Sequence, residues 1–164
     1  MEIVNSQGTM IYVLDIPAVA WADCTAAITA IKAGKQVLCP QSLGNLEQTR
    51  NVQEYKCLSS NDSKKIMGSI SRGSLDIGML FDPTDVEGQE ALIGYFENNT
   101  NFIVGIEYSD LDPANTGASG TIRWFEAGVS REAEIIEMDA AVLYEITAEV
   151  AGTINKCSAV VGTP

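Results

Sequence analysis

The sequence of 164 residues predicts a mainly-β fold, a sandwich or barrel, with one α-helix on its flank at about 85–97 and a long hairpin at about 50–71. Three observations lead there. Apolar residues recur at every second position in several short runs, which is the period of a strand with one buried face. Turn-forming clusters of Asn, Asp, Gly, Pro and Ser separate those runs. Only one segment carries a clear helix start followed by an apolar stripe. The length favours a single domain over 1–164, in which 1–22 form an N-terminal arm and first strand and 153–164 an extended C-terminal tail.

Taken in order, Thr9–Leu14 is β-branched and aromatic, hence a strand. Asp15–Asp23 reads as a loop broken by Pro17 and anchored by Trp21. Cys24–Ile31 fits a strand or one or two helical turns equally well, and Gly34 ends it. A brief strand is expected at Gln36–Cys39, closed by Pro40. Residues 50–58 and 64–71 form the two arms of the hairpin, around the polar tip Ser59-Ser60-Asn61-Asp62-Ser63. Both arms are weakly apolar, so this hairpin buries little within its own chain and is flexible or completed by a neighbour.

Ser74–Phe81 alternates cleanly, with Leu75, Ile77, Met79 and Phe81 on one face. Asp82-Pro83 introduces the helix, and Thr84-Asp85-Val86-Glu87 matches a capping box. Val86, Leu92, Ile93, Tyr95 and Phe96 supply its apolar stripe, while Gly88 and Gly94 weaken it by roughly 1 kcal/mol each. Phe102–Tyr108 is a strand with Phe102, Val104, Ile106 and Tyr108 inward; Ser109–Gly120 is a loop. Thr121–Val129 is a strand, Arg131–Met138 its expected hairpin partner, and Val142–Val150 the last long strand.

Charge is unevenly placed. The formal net charge is −12. Residues 1–72 hold seven Lys and Arg against six Asp and Glu, whereas residues 73–155 hold two against 16. Such a surface repels phosphates, which argues against sequence-specific nucleic-acid binding. No basic segment precedes an apolar run at the N-terminus, so no secretory signal is read, and no apolar stretch is long enough for a spanning helix. Cys24, Cys39, Cys57 and Cys157 form no CxxC pair, and they read as reduced, buried small residues.

The chain contains no histidine, which removes Ser-His-Asp and Cys-His catalysis and most zinc sites. Neither a GxGxxG nor a Walker phosphate loop is present. Asp76, Asp82, Asp85, Glu87 and Glu90 lack calcium-loop spacing. Glu132, Glu134 and Glu137, or Glu145 and Glu149, resemble a solvated strand face more than a glycosidase pair. Trp21 and Trp124 would be the platform if the chain were a carbohydrate-binding β-sandwich, although single Trp residues are more often core. Catalytic, cofactor and metal sites are therefore not expected.

One stretch, SKKIMGSISRGSLDIGMLFDPTDVEGQEALIGYF from Ser63 to Phe96, resembles the central signature of phage tail tube proteins, the major tail proteins of long-tailed bacteriophages. The parts are Lys65-Ile66-Met67-Gly68, the strand Leu75–Phe81, Asp82-Pro83, and a helix beginning Gly88-Gln89-Glu90-Ala91-Leu92. Phe102–Tyr108, Trp124-Phe125 and Val142–Gly152 follow in the family's order, so the resemblance covers about 40–160 and weakens in the N-terminal third. It implies a β-sandwich or barrel-like tail tube fold and a structural, non-catalytic subunit of the virion tail, assembled in the host cytoplasm. It implies hexameric rings stacked into a hollow tube, with a continuous barrel around the lumen, through which genomic DNA passes without specific binding. Partners implied are further copies of the chain, the tail terminator, and tail tip and tape measure proteins; there is no membrane anchor. The assembly interface would include Arg50, Val52, Tyr55, Lys64, Lys65, Ile66 and Ile70. A secretion tube of the type VI kind is the alternative within the same fold. The absence of an appended C-terminal decoration domain points to a simple tube.

Overall fold

The computed structural model describes residues 8–56, 58, 62–110 and 118–160. Residues 59–61 of the expected hairpin tip, Cys57, most of the expected 109–120 loop and the two chain ends lie outside the described residues. In chain order the elements are β1 (Met10–Asp15), α1 (Cys24–Lys32), β2 (Lys35–Gln36), β3 (Pro40–Leu43), β4 (Gln48–Lys56), β5 (Ser63–Arg72), β6 (Ser74–Leu80), α2 (Gly88–Glu97), β7 (Phe102–Glu107), β8 (Ile122–Ile135), β9 (Leu143–Val150) and β10 (Asn155–Cys157).

Eight strands form one antiparallel sheet in the order β2-β1-β7-β8-β9-β6-β3, with β10 also on β8. The 14-residue β8 joins its two halves. Ile122–Ala127 pairs with β7, and Ala127–Ile135 pairs with β9, with a bulge between Val129 and Arg131. Strands from both ends of the sheet contribute to a single core: Ile11 and Val13 from β1, Leu75, Ile77 and Met79 from β6, Tyr144 and Ile146 from β9. The sheet therefore curls over that core, and Leu92 of α2 plugs it. Alternating apolar residues on β6 and β9 bury one face of each strand, and this burial drives the curl.

Both faces of β7 are covered, and all six of its residues are buried. Phe102, Val104 and Ile106 face the main core; the opposite face lies under α1, whose Ile31 sits where a Cβ on Gly105 would stand. A second, smaller core joins Tyr12, Ala27, Ile28, Ile31, Ile122 and Cys157. Glu107 is fully buried there; Lys32 Nζ lies 3.1 Å from it, and the Gly120 N–H donates to it at 3.0 Å. Tyr12 lies beside this carboxylate, and burial, then Glu107, raises its phenol ionisation.

The choice left open at Cys24–Ile31 resolves as a helix, capped by Asp23, whose carboxylate accepts from the Ala26 N–H at 2.8 Å, so two helices stand among the described residues where one was expected. Several other expectations are corrected. The brief strand expected at Gln36–Cys39 is only Lys35–Gln36, because Cys39 adopts a positive φ of 51° and Pro40 opens β3 where a closing residue was expected. Arg131–Met138 is not a hairpin partner; Arg131–Ile135 continues β8 past the bulge. Phe81 and Tyr108 lie beyond the ends of β6 and β7, and Phe81 is exposed. Cys24 and Cys157 are joined in a disulfide that ties α1 to β10, so they are not reduced thiols; Cys39 is free and exposed, not buried.

The helix starts later than its capping pattern suggests. Thr84 donates its hydroxyl to Asp82 at 2.6 Å, and Glu87 makes no side-chain cap. The cap is Asp85, almost buried, which accepts from Gly88 N at 2.7 Å, Glu87 N at 3.3 Å, Gln89 N at 3.2 Å and Leu38 N at 3.0 Å. Gln89 completes the lock: its Nε2 donates to Leu80 O at 2.7 Å and Leu38 O at 3.3 Å, and its Oε1 accepts from Asp82 N at 3.1 Å. Gly88 lies so close to the Gln36 carbonyl that a Cβ would overlap it. The Asp-Pro and Gly-Gln motifs thus pin the helix start to the end of β6 and to the chain before β3. Val86 falls outside the helix, and it and Phe96 are exposed, so the buried stripe is narrower than expected.

Candidate assembly surface

The hairpin stands apart from the body. Strands β4 and β5 form their own two-stranded sheet. Every residue of β4 is exposed, as is every residue of β5 except Arg72. Val52, Tyr55, Ile66 and Ile70 are 46, 51, 57 and 40% exposed, which is costly for a strand pair with nothing to cover it.

Pairing register divides the expected interface residues between two faces. Arg50 opposes Ile70, Val52 opposes Met67, and Glu54 opposes Lys65. With Gln48–Arg72 and Lys56–Ser63, these pairs make one face, apolar at its middle and cationic at its ends. Gln53 opposes Ile66 and Tyr55 opposes Lys64 on the other face, which also carries Thr49 and Ser71. On that face the Tyr55 hydroxyl donates to Gln53 Oε1 at 2.6 Å. The named residues are thus brought together in one hairpin, but Arg50, Val52, Lys65 and Ile70 point one way while Tyr55, Lys64 and Ile66 point the other.

Across the body, β8 presents an unpaired edge. Strand β7 stops opposite Ala127, so among the described residues Arg131–Ile135 pair with β9 alone. Among the described residues strands β4 and β5 likewise pair only with each other. Unpaired edges of this kind are where another chain adds strands.

Alternative chemistry finds little support. Among the described residues no group of three or more Cys, Asp or Glu is placed to hold a metal. Trp21 and Trp124 do meet, with ring centroids 4.7 Å apart, but edge to face, so they pack on one another and offer no flat platform for a sugar. The cleft beside them, about 270 Å³, is lined by Ile16, Trp21, Trp124 and Asn155. No helix among the described residues is long and apolar enough to cross a membrane.

Comparison with known proteins places this architecture. No family model and no curated protein matches the sequence. Solved structures do match. A chain of the anti-feeding prophage baseplate superposes with a TM-score of 0.69 at 11% identity, over 96% of this chain and 97% of that one. The SPP1 tail tube matches with a TM-score of 0.64 at 14% identity, over 95% and 80%. The chain has the tail tube fold. A chain from the tail of a gene transfer agent particle, refined with C6 symmetry, matches with a TM-score of 0.65 at 13% identity, over 94% and 98%. The mainly-β fold with flanking helix and long hairpin, expected from the sequence, is therefore the one observed.

Proposed function

We propose that this chain is a self-assembling structural subunit of a tail tube, in which hexameric rings stack around a channel that conducts DNA into a host. The observation that carries the reading is the β4–β5 hairpin, folded yet exposed along its length, in a chain with the tail tube fold. A strand pair with exposed Val52, Tyr55, Ile66, Met67 and Ile70 is completed when its edges meet a neighbour's strands. The unpaired Arg131–Ile135 edge of β8 offers such a strand. A heterologous, head-to-tail hairpin-to-edge contact generates a ring when its rotation closes, and the sixfold count follows the gene transfer agent tail of the same fold, refined with C6 symmetry.

The acidic half supplies the channel with its electrostatics. A subset of the carboxylates from 73–149, with polar positions of the hairpin, lines the lumen, repels phosphates and lets DNA slide. The chain's place is the virion tail, after assembly in the host cytoplasm, and its partners are its own copies, a terminator, a tail tip and a tape measure protein. It has no catalytic role.

Negative-stain images of the purified chain, with light scattering across a concentration series, test this reading: rings or tubes are expected, and a particle monomeric at every concentration refutes it. A tube that forms but carries protein cargo and no DNA would favour the secretion-tube alternative.

A further inference from the structure

The hairpin's cationic face has a counterpart on the body. Gln48–Lys56 and Ser63–Arg72 carry five Lys and Arg against the single Glu54. Arg50, Lys56, Lys65 and Arg72 all lie on the Val52–Met67 face.

Beyond the Val129–Arg131 bulge the faces of β8 exchange. Glu132 opposes Ile146 and Glu134 opposes Tyr144, so both acids stand on the side of the sheet that buries those residues. Helix α2 packs on β8, and its last turn brings Glu97 without any basic residue. Three carboxylates and the negative end of a helix dipole are thus gathered in one place. Among the described residues the ion pairs are Lys32–Glu107 and Arg131–Glu145, and neither serves these three acids. A second observation marks the same place. Tyr144 is fully buried, and among the described residues its hydroxyl has no partner at hydrogen-bond distance. Tyr144 stands opposite Glu134 in the register and one pair from Glu132, so its side chain lies on the same side of the sheet as both acids; burial, then Glu132, Glu134 and Glu97, raises its ionisation.

We propose that the Val52–Met67 face of the hairpin of one copy docks on the Glu97, Glu132 and Glu134 carboxylates of a neighbouring copy. The opposite face carries Thr49, Gln53, Tyr55, Lys64, Ile66 and Ser71. The proposal rests on the tube reading above and names the surface that receives the hairpin. Charge complementarity chooses a second copy as the occupant: the hairpin is the chain's most cationic element, and the body has two cations against 16 acids over 73–155. The β8 edge beside Glu132 and Glu134 gives the incoming strand a backbone to pair with.

Reciprocal charge reversal in the full chain tests it. Arg50→Glu with Lys65→Glu, and separately Glu132→Lys with Glu134→Lys, should each raise the concentration needed for assembly by more than about tenfold, because like charges then face each other. All four substitutions together should return it to within about threefold of wild type. Tubes from wild type, with either pair of reversals neutral or the fourfold variant unrescued, overturn the docking and leave the tube reading intact. A wild-type chain that never assembles overturns both. Assembly that requires Mg²⁺ or Ca²⁺ and is abolished by EDTA would assign the acids to a cation and also overturn the proposal. A second readout does not depend on charge: Lys65→Cys with Glu134→Cys, both at exposed sites, should give disulfide-linked multimers in assembled tubes, and tubes without such links refute the contact.

Discussion

The hairpin and the body are built from the same chain by opposite means. In the body, β7 is buried on both faces and β6 and β9 on one, and the sheet closes on a core of aliphatic and aromatic side chains. In the hairpin, 19 strand residues of β4 and β5 hold each other by ladder bonds and bury almost nothing. A two-stranded sheet without a covered face is marginal in water. The body thus carries the stability of the monomer, and the hairpin's order has to be completed from outside. Charge follows the same division: cations gather on the element that reaches out, acids on the one that stays.

Excising the hairpin should separate the two regions most sharply. A chain in which 48–72 are replaced by a short Gly-Ser linker between Glu47 and Gly73, already joined by a Gly73 N–H to Glu47 O bond of 3.1 Å, should keep its fold and lose assembly entirely. Circular dichroism and thermal unfolding would report the first, electron microscopy the second. Unfolding of the excised chain would show that the hairpin supports the body.

Point substitutions sharpen the same contrast. Phe102 is fully buried and stacks on Tyr95 with centroids 4.4 Å apart, so Phe102→Ala should cost about 3–5 kcal/mol of monomer stability in a urea titration. Tyr55→Ala on the hairpin should shift monomer stability by less than about 0.5 kcal/mol. An equal effect at both sites would place the hairpin within the monomer's core cooperativity.

Much of this division was readable from the residues. Burial on one face writes period two into β6 and β9, and the polar turn before Ser63 announces the hairpin. The misreadings share one cause, which is that tertiary partners decide between local alternatives. Thr84 and Asp85 are both competent caps, and Asp85 wins because its carboxylate also reaches Leu38 N, 47 residues away. Asp23 before Cys24 was a helix signal that the small and β-branched residues after it obscured. The Cys24–Cys157 pairing spans 133 residues and leaves no local trace. Glu134 is exposed and Glu132 partly so, as a solvated face requires, but nothing local reveals the bulge that puts them on the same side of the sheet as Tyr144. The partition of Arg50 and Lys65 from Tyr55 and Lys64 likewise depends on a register that the sequence does not spell out.

The disulfide offers the next test, since it staples α1 to the β8–β10 end of the body and does not touch the hairpin. Closing so long a loop restrains the unfolded chain, and Cys24→Ser with Cys157→Ser should cost about 2–5 kcal/mol. The loss should appear in the urea midpoint of the monomer. The assembly threshold, corrected for the folded fraction, should not change. A changed threshold at full folding would connect the staple to the interface.

The smallest expected effect is acid sensitivity confined to the body. Burial pushes Asp110 up, but hydrogen bonds from the Thr121 hydroxyl and N–H, both 2.6 Å, and the nearby Lys156 outweigh it and hold the carboxyl below its ordinary range. The Thr84 hydroxyl and N–H do the same for Asp82. A carboxylate whose ionisation is depressed by folding stabilises the protein above its unfolded value, about 3.9, and that contribution is lost as pH falls through the folded value. Thermal unfolding followed from pH 6 to pH 2 should therefore show a decline below about pH 4 that Asp110→Asn makes shallower. The hairpin-excised chain should show the same decline as wild type, because neither carboxylate bonds to the hairpin. If excision removed the acid sensitivity instead, the two regions would be coupled through charge, and the division between a self-sufficient body and a dependent hairpin would have to be redrawn.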